Sequence, residues 1–173
     1  TAALNALMTK EAHASQVYLS YAAWAHHQGY GGIAQFLFRH AEEERDHMMK
    51  ILEYILKRGA KVQITAISAP HDNPESMNGC FEKILEHEVD ITKDVYKLVK
   101  MSMEEEDWAT WNFLQWFVKE QVEEETLALS LLDKMKIAGG EKVNNNALYS
   151  LDKDLENSGV DVRAAEDVSA AKP

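Results

Sequence analysis

The chain has 173 residues, enough for one domain with a sizeable core. Eighteen Lys and Arg against 29 Asp and Glu leave a formal net charge of -11, which argues against a nucleic-acid-binding surface and suits a protein that draws in cations. A single cysteine, Cys80, excludes an internal disulfide and a thiolate-pair metal motif, so a reducing compartment, the cytoplasm, is expected, and no run is apolar enough to span a bilayer. The only prolines are Pro70, Pro74 and Pro173, which leaves long uninterrupted helices open almost everywhere else.

The first expected helix carries Leu4, Met8, Ser15, Tyr18, Ala22 and Ala25 at helical spacing, with Glu11 in the slot between Met8 and Ser15. His13, His26 and His27 lie off that seam and are expected in solvent. Gly29, Gly31 and Gly32 end the helix, and so short a connection makes the next one antiparallel. The second helix, stopping near Gly59, has Ile33, Leu37, Ile51 and Tyr54 on a seam whose centre is His40, Glu44 and His47. Glu44 and His47, three apart, face the same way. A carboxylate and an imidazole turned into a helical core are costly unless paired or bound to something.

Lys61 to Met77 reads as a long connection, because Pro70, Asp72, Asn73 and Pro74 forbid a helix through its middle. A helix of about 27 residues is about 40 Å long. Seventeen extended residues reach roughly 56 Å, enough to run the length of a bundle and start the third helix parallel to the second. The third helix has Phe81, Leu85, Thr92, Val95 and Val99 on its seam, interrupted by Glu88. After an acidic turn from Glu104 to Asp107, the fourth reads Leu114, Phe117, Gln121, Glu124, Ala128, Leu131 and Met135. Gly139 and Gly140 break it, and Asn144 to Asn146 cap a short fifth helix with Leu148, Leu151 and Leu155 on one face. Those leucines have no obvious place on the bundle, so they are expected between subunits. The expected division is a bundle with its fifth helix over 1–158 and a poorly ordered tail over 159–173.

Each of the four long helices thus interrupts its own apolar seam near mid-length with a carboxylate: Glu11, Glu44 with His47, Glu88, and Glu124 with Gln121. If the seams face one another, these side chains converge. A buried hydrogen-bonded network is the plain alternative. No Lys or Arg stands on any seam, however, and like charges left facing each other cost several kcal/mol, so cations must supply the missing charge. A set of four carboxylates, one imidazole and one amide, with no thiolate, is too oxygen-rich for structural zinc and suits iron or manganese. Four negative charges with a neutral His balance two Fe2+, and equally two Fe3+ with a bridging oxide.

The run His40-Ala-Glu-Glu-Glu44-Arg-Asp-His47, with Asn112-Phe-Leu-Gln-Trp116, Glu120-Gln-Val-Glu-Glu-Glu125 and Leu148-Tyr-Ser-Leu-Asp-Lys153, closely resembles the ferritins, specifically the non-haem ferritins of bacterial type. The resemblance spans nearly the whole chain. It implies an all-α fold, a four-helix bundle with a long crossover between the second and third helices and a short fifth helix. It also implies one iron site at Glu11, Glu44 and His47 and a second at Glu44, Glu88 and Glu124, with Gln121 close by and Glu44 as the bridge. Tyr18 matches a tyrosine that family members hold beside the metals, Trp116 an aromatic beside the site, and Glu43, Glu120 and Glu123 a third iron site.

Departures from relatives narrow the implication. Bacterioferritins carry a second Glu-x-x-His where this chain has Gln121 to Glu124, and a haem-ligating Met where it has Arg45; Met48 and Met49 lie too far round the helix, so no haem is expected. Rubrerythrins add a cysteine-rich iron domain that one Cys cannot provide, and mini-ferritins build their site between subunits from a different pattern. The implied function is ferroxidase activity, Fe2+ oxidised by O2 or H2O2, with ferric mineral stored inside a hollow homo-oligomeric shell of 24 subunits. A catalytically silent shell subunit and a di-metal oxidase that stores no mineral are the other readings. No nucleic acid and no membrane are expected as partners.

Overall fold

The structure, a computed structural model, describes residues 1–70, 73–139 and 145–157. Five helices follow in chain order: α1 (Ala2–His27), α2 (Gly31–Lys57), α3 (Met77–Glu104), α4 (Trp108–Ile137) and α5 (Asn145–Asn157). The expected boundary at 158, the tail 159–173 and Asn144 lie outside the described residues. The all-α bundle with a long crossover and a short fifth helix is what the seams predicted.

Each break has a local cause. Gly29 takes φ 91°, a left-handed conformation that costs a glycine nothing, and lets the Tyr30 amide close back on the Ala25 carbonyl at 3.0 Å. The α3–α4 turn reaches the same geometry without a glycine: Glu106 sits at φ 54°. Two helix starts are capped locally, Ser76 Oγ accepting from the Gly79 amide at 3.0 Å and Asp107 Oδ1 from the Thr110 amide at 3.1 Å.

The crossover runs along α1. The Asn5 amide donates to the Lys61 carbonyl and its oxygen accepts from the Gln63 amide, while Thr9 meets Thr65 one turn further on. Residue numbers rise together on both strands of this contact, so the crossover travels back toward the start of α2 and α3 sets out parallel to α2. The two apolar clusters say the same. One joins the end of α1, the starts of α2 and α3 and the end of α4 (Tyr21, Ile33, Phe81, Leu131); the other joins the opposite ends (Leu7, Ile55, Val95, Leu114). Between them lies a buried polar layer: Glu11, Glu44, His47, Glu88, Gln121 and Glu124.

Three sequence expectations change. All seven seam residues of α4 are buried, but on α3 the fully buried edge runs through Ile84, Ile91 and Leu98, with Leu85 and Val99 only partly covered. The apolar face of α3 is wider than one stripe, and the helix packs on its other margin. His13 is half-buried with its ring 5.7 Å from that of His87 on α3, because α1 and α3 touch there, whereas His26 and His27 are in solvent as expected. Finally, Leu148, Leu151 and Leu155 bury themselves within the same chain, in the cluster that holds Ile33, Ala34 and Phe36.

That docking completes α2. Tyr30 offers no side-chain cap, and Asp152 of α5 supplies one from a distance, its Oδ1 accepting the Ile33 amide at 2.9 Å. An acidic group at a helix start is favoured by the helix dipole as well as by the hydrogen bond. At the far end of α5, Arg39 Nη2 donates to the Leu155 carbonyl at 3.2 Å. Gly32 makes the approach possible, since a Cβ there would stand 1.9 Å from the Asp152 carbonyl oxygen. Gly32→Ala should therefore push α5 off α2 and cost on the order of 1–3 kcal/mol, the usual range for overpacking. Chemical unfolding of the variant would check this; a midpoint equal to the parent's would mean that α5 contributes nothing there.

Candidate metal centre

The apolar seams place each acid by position alone: Glu11, Glu44, Glu88 and Glu124 stand one to a helix and all are buried. Their ligand atoms form three overlapping groups, each within 4.8 Å: Glu11, Glu44 and His47; Glu44, Glu88 and Glu124; and Glu43, His47, Glu120 and Glu124. Glu44 belongs to both fully buried groups. His47 turns Nδ1 toward Glu44 Oε2 at 3.3 Å and Nε2 toward Glu120 Oε1 at 3.7 Å, so one ring faces two of the groups. The ring is held by edge contacts to Trp116 and Phe117, centroids 5.3 and 6.3 Å away.

The acids differ in how the chain holds them. Glu88 has a donor on each oxygen: the Tyr18 hydroxyl on Oε1 at 2.8 Å and the Gln121 amide on Oε2 at 3.3 Å. Among the described residues no donor other than a proton shared with Glu44 reaches either oxygen of Glu11, although both are buried. A buried carboxylate without a hydrogen bond is costly, and a cation is the partner that the set Glu11, Glu44 and His47 would accept.

Electrostatics agree. Burial, then the neighbouring Glu44 charge, pushes Glu11 well above the ordinary carboxyl value, and burial with Glu88 and Glu124 does the same to Glu44. Glu88 is raised by burial to about 7, with the Tyr18 hydrogen bond working against the shift, and Glu124 by burial and the Glu88 charge to about 8. Burial alone would lower His47, but Glu120, Glu11 and Glu124 around it outweigh that and leave it raised. All four carboxyl shifts favour the protonated acids in the metal-free layer, and a cation bound there would take the place of those protons.

The ferritin family model, a ferritin-like domain, matches residues 1–138. The chain belongs to the ferritin family. This ferritin is 42% identical over 154 residues to a probable bacterial non-heme ferritin-like protein of Haemophilus influenzae, covering 89% of this chain and 92% of that one. It is 38% identical to the bacterial non-heme ferritin of Campylobacter jejuni, covering 89% and 90% of the two chains. Its fold matches the open-pore ferritin of the archaeon Archaeoglobus fulgidus with a TM-score of 0.86 at 38% identity, covering 90% of this chain and 93% of that one.

The candidate residues named from sequence fall into place unevenly. Glu11, Glu44, His47, Glu88 and Glu124 converge, Gln121 and Tyr18 both bond to Glu88, and Glu43 and Glu120 line the third group. Glu123 stands outside all three groups, its carboxylate exposed and 3.2 Å from Lys119 Nζ. The sequence reading missed the links that the structure adds. His40 Nδ1 meets Glu43 Oε2 at 3.1 Å, and the Thr92 hydroxyl stands between the Glu88 carbonyl and the Glu125 carboxylate. The only signal was that His40 and Thr92 were polar residues on the seams beside the acids.

Proposed function

We propose that this ferritin is a ferroxidase and iron store: it oxidises Fe2+ at a paired site inside each subunit and keeps the ferric product inside a homo-oligomeric shell of 24 subunits. The observation that carries this reading is the pair of fully buried ligand groups sharing Glu44. Glu11, Glu44 and His47 would hold one iron, and Glu44, Glu88 and Glu124 the other, with the amide of Gln121 beside it. The Tyr18 hydroxyl steadies Glu88. Glu43 and Glu120, with His47 and Glu124 at the edge of the pair, form an accessory iron position, and Glu123 flanks it toward solvent. Each Fe2+ gives up one electron, and O2 with two protons takes both to become H2O2. H2O2 with two protons serves equally, becoming two waters. The chain supplies the fixed distance between metals and the charge that accommodates the higher oxidation state.

No described helix is long and apolar enough to cross a membrane. A cytoplasmic place follows from the lone, buried Cys80 on the same proposed footing, and Arg45, exposed where a bacterioferritin's haem ligand would stand, is the reason no haem is proposed. The ground for assembly is now the family and its solved relatives rather than the α5 leucines, which are satisfied within the chain.

One experiment tests both halves. Purified protein should scatter light as a particle near the mass of 24 chains, and Fe2+ added in air should be oxidised and elute with that particle. A stable dimer that oxidises iron without retaining it would leave a di-metal oxidase instead. A shell that takes up iron no faster than buffer would leave a silent subunit.

A further inference from the structure

Thr92 lies one turn beyond Glu88 on α3, buried against α4, and its hydroxyl oxygen stands 3.0 Å from the Glu88 carbonyl, 2.6 Å from Glu125 Oε1 and 3.4 Å from Gln121 Nε2. A hydroxyl has one hydrogen and two lone pairs, so it cannot donate to both Glu88 and Glu125. The contact to the Glu125 carboxylate is the shorter and the charge-assisted one, and it takes the hydrogen. The Glu88 carbonyl and a Thr92 lone pair are then left as acceptors for the Gln121 amide, which reaches the carbonyl at 3.3 Å and Glu88 Oε2 at 3.3 Å. A backbone carbonyl only accepts, so the end of Gln121 that faces Glu88 is its nitrogen. The amide oxygen is the end turned the other way.

We infer that Glu125 is a positioning residue: by drawing the Thr92 hydrogen toward itself it fixes the orientation of Gln121, holding Glu88 with the amide nitrogen and presenting the amide oxygen to the second metal position. This rests on the paired-site reading above. Without Glu125 the Thr92 hydrogen turns back to the Glu88 carbonyl, the ordinary bond of a helical threonine four residues on. Gln121 then competes with that hydrogen for the Glu88 carbonyl, and the Thr92 lone pairs turn with the hydroxyl, so the amide leans on Glu88 Oε2, which a metal would also claim.

Zn2+, which undergoes no oxidation, is the probe, titrated calorimetrically into the assembled metal-free protein. The parent should bind a tight pair per subunit. Thr92→Val and Glu125→Ala should each weaken the second Zn2+ about tenfold, the low end for a partner that orients a metal ligand. Thr92→Ser, which keeps the hydroxyl, should restore it. In a Gln121→Ala background Glu125→Ala should have no further effect, because both act through one amide. Should Thr92→Val fail to fold, Glu125→Ala, at a half-buried site, carries the test with its cycle. Parental affinity in Glu125→Ala, or a full loss retained on the Gln121→Ala background, would overturn the positioning role while leaving the paired site intact. A parent that binds no Zn2+ pair would overturn both.

Discussion

Glu44→Ala should lower the rate of rapid Fe2+ oxidation by at least about tenfold, the range that ligand and ligand-orienting losses usually produce. Glu44 is the one residue shared by the two fully buried groups, and it also faces His47 Nδ1 at 3.3 Å. On the proposed assignment its removal would delete the bridge and release the imidazole, so two irons would no longer be held at one distance. Glu120→Ala is the control. Glu120 lies outside both groups that contain Glu44 and meets them at their edge, through His47 Nε2 at 3.7 Å and through Glu124, with which it shares the third group, so the first fast phase should persist while iron-to-oxidant stoichiometry or later turnover changes. Stopped-flow absorbance with two Fe2+ per subunit reads both variants. Parental oxidation by Glu44→Ala, or loss of the first phase in Glu120→Ala, would mean that the paired and accessory assignments are misdivided.

What the sequence made legible was whatever a single helix determines. A carboxylate at the centre of an apolar stripe must face the interior whichever way the helices are turned, which is why Glu11, Glu44, Glu88 and Glu124 were readable one helix at a time. Contacts between helices depend on rotation and register, which no stripe specifies. Thr92 and Glu125 are 33 residues apart and meet only because α3 and α4 pack at one particular register. The same holds for His13 against His87 and for the margin of α3 that packs through Ile84 and Ile91. The leucines of α5 read as facing another subunit, whereas they pack within the chain. The reason lay in Gly32 and Asp152, whose roles appear only once their backbones approach. Glu123 is a case that the stripe could not place: it stands one step off the seam, and in the metal-free structure its carboxylate faces solvent beside Lys119.

The metal-free protein should lose stability as pH rises from about 5 to 8, opposite to the usual behaviour of carboxylates held in ion pairs. Folding raises Glu88 from an ordinary 4.5 to about 7 and Glu124 to about 8, and lifts Glu11 and Glu44 well above 4.5. Between the unfolded and folded values the native chain holds protons that the unfolded chain has released. The stability they confer is complete below the unfolded value and is lost as pH climbs through the folded one. His47, also raised, works in the same direction above its ordinary 6.5. The depressed carboxyls, Asp90, Asp94 and Asp107, contribute stability that is fully present above about pH 4 and lost only as pH falls below it, so they leave this window undisturbed. Because a divalent ion takes the place of those protons, it should stabilise the protein more at pH 8 than at pH 5.5 and release protons as it binds. Thermal unfolding in chelator and in Zn2+ across that range measures the first effect, and calorimetry in buffers of different ionisation enthalpy the second. The double variant Glu88→Gln, Glu124→Gln should flatten the metal-free slope, since neutral amides have no proton to lose. A metal-free protein whose stability holds level or rises from pH 5.5 to 8, with no proton release on binding Zn2+, would show that these carboxyls are already ionised in the empty site.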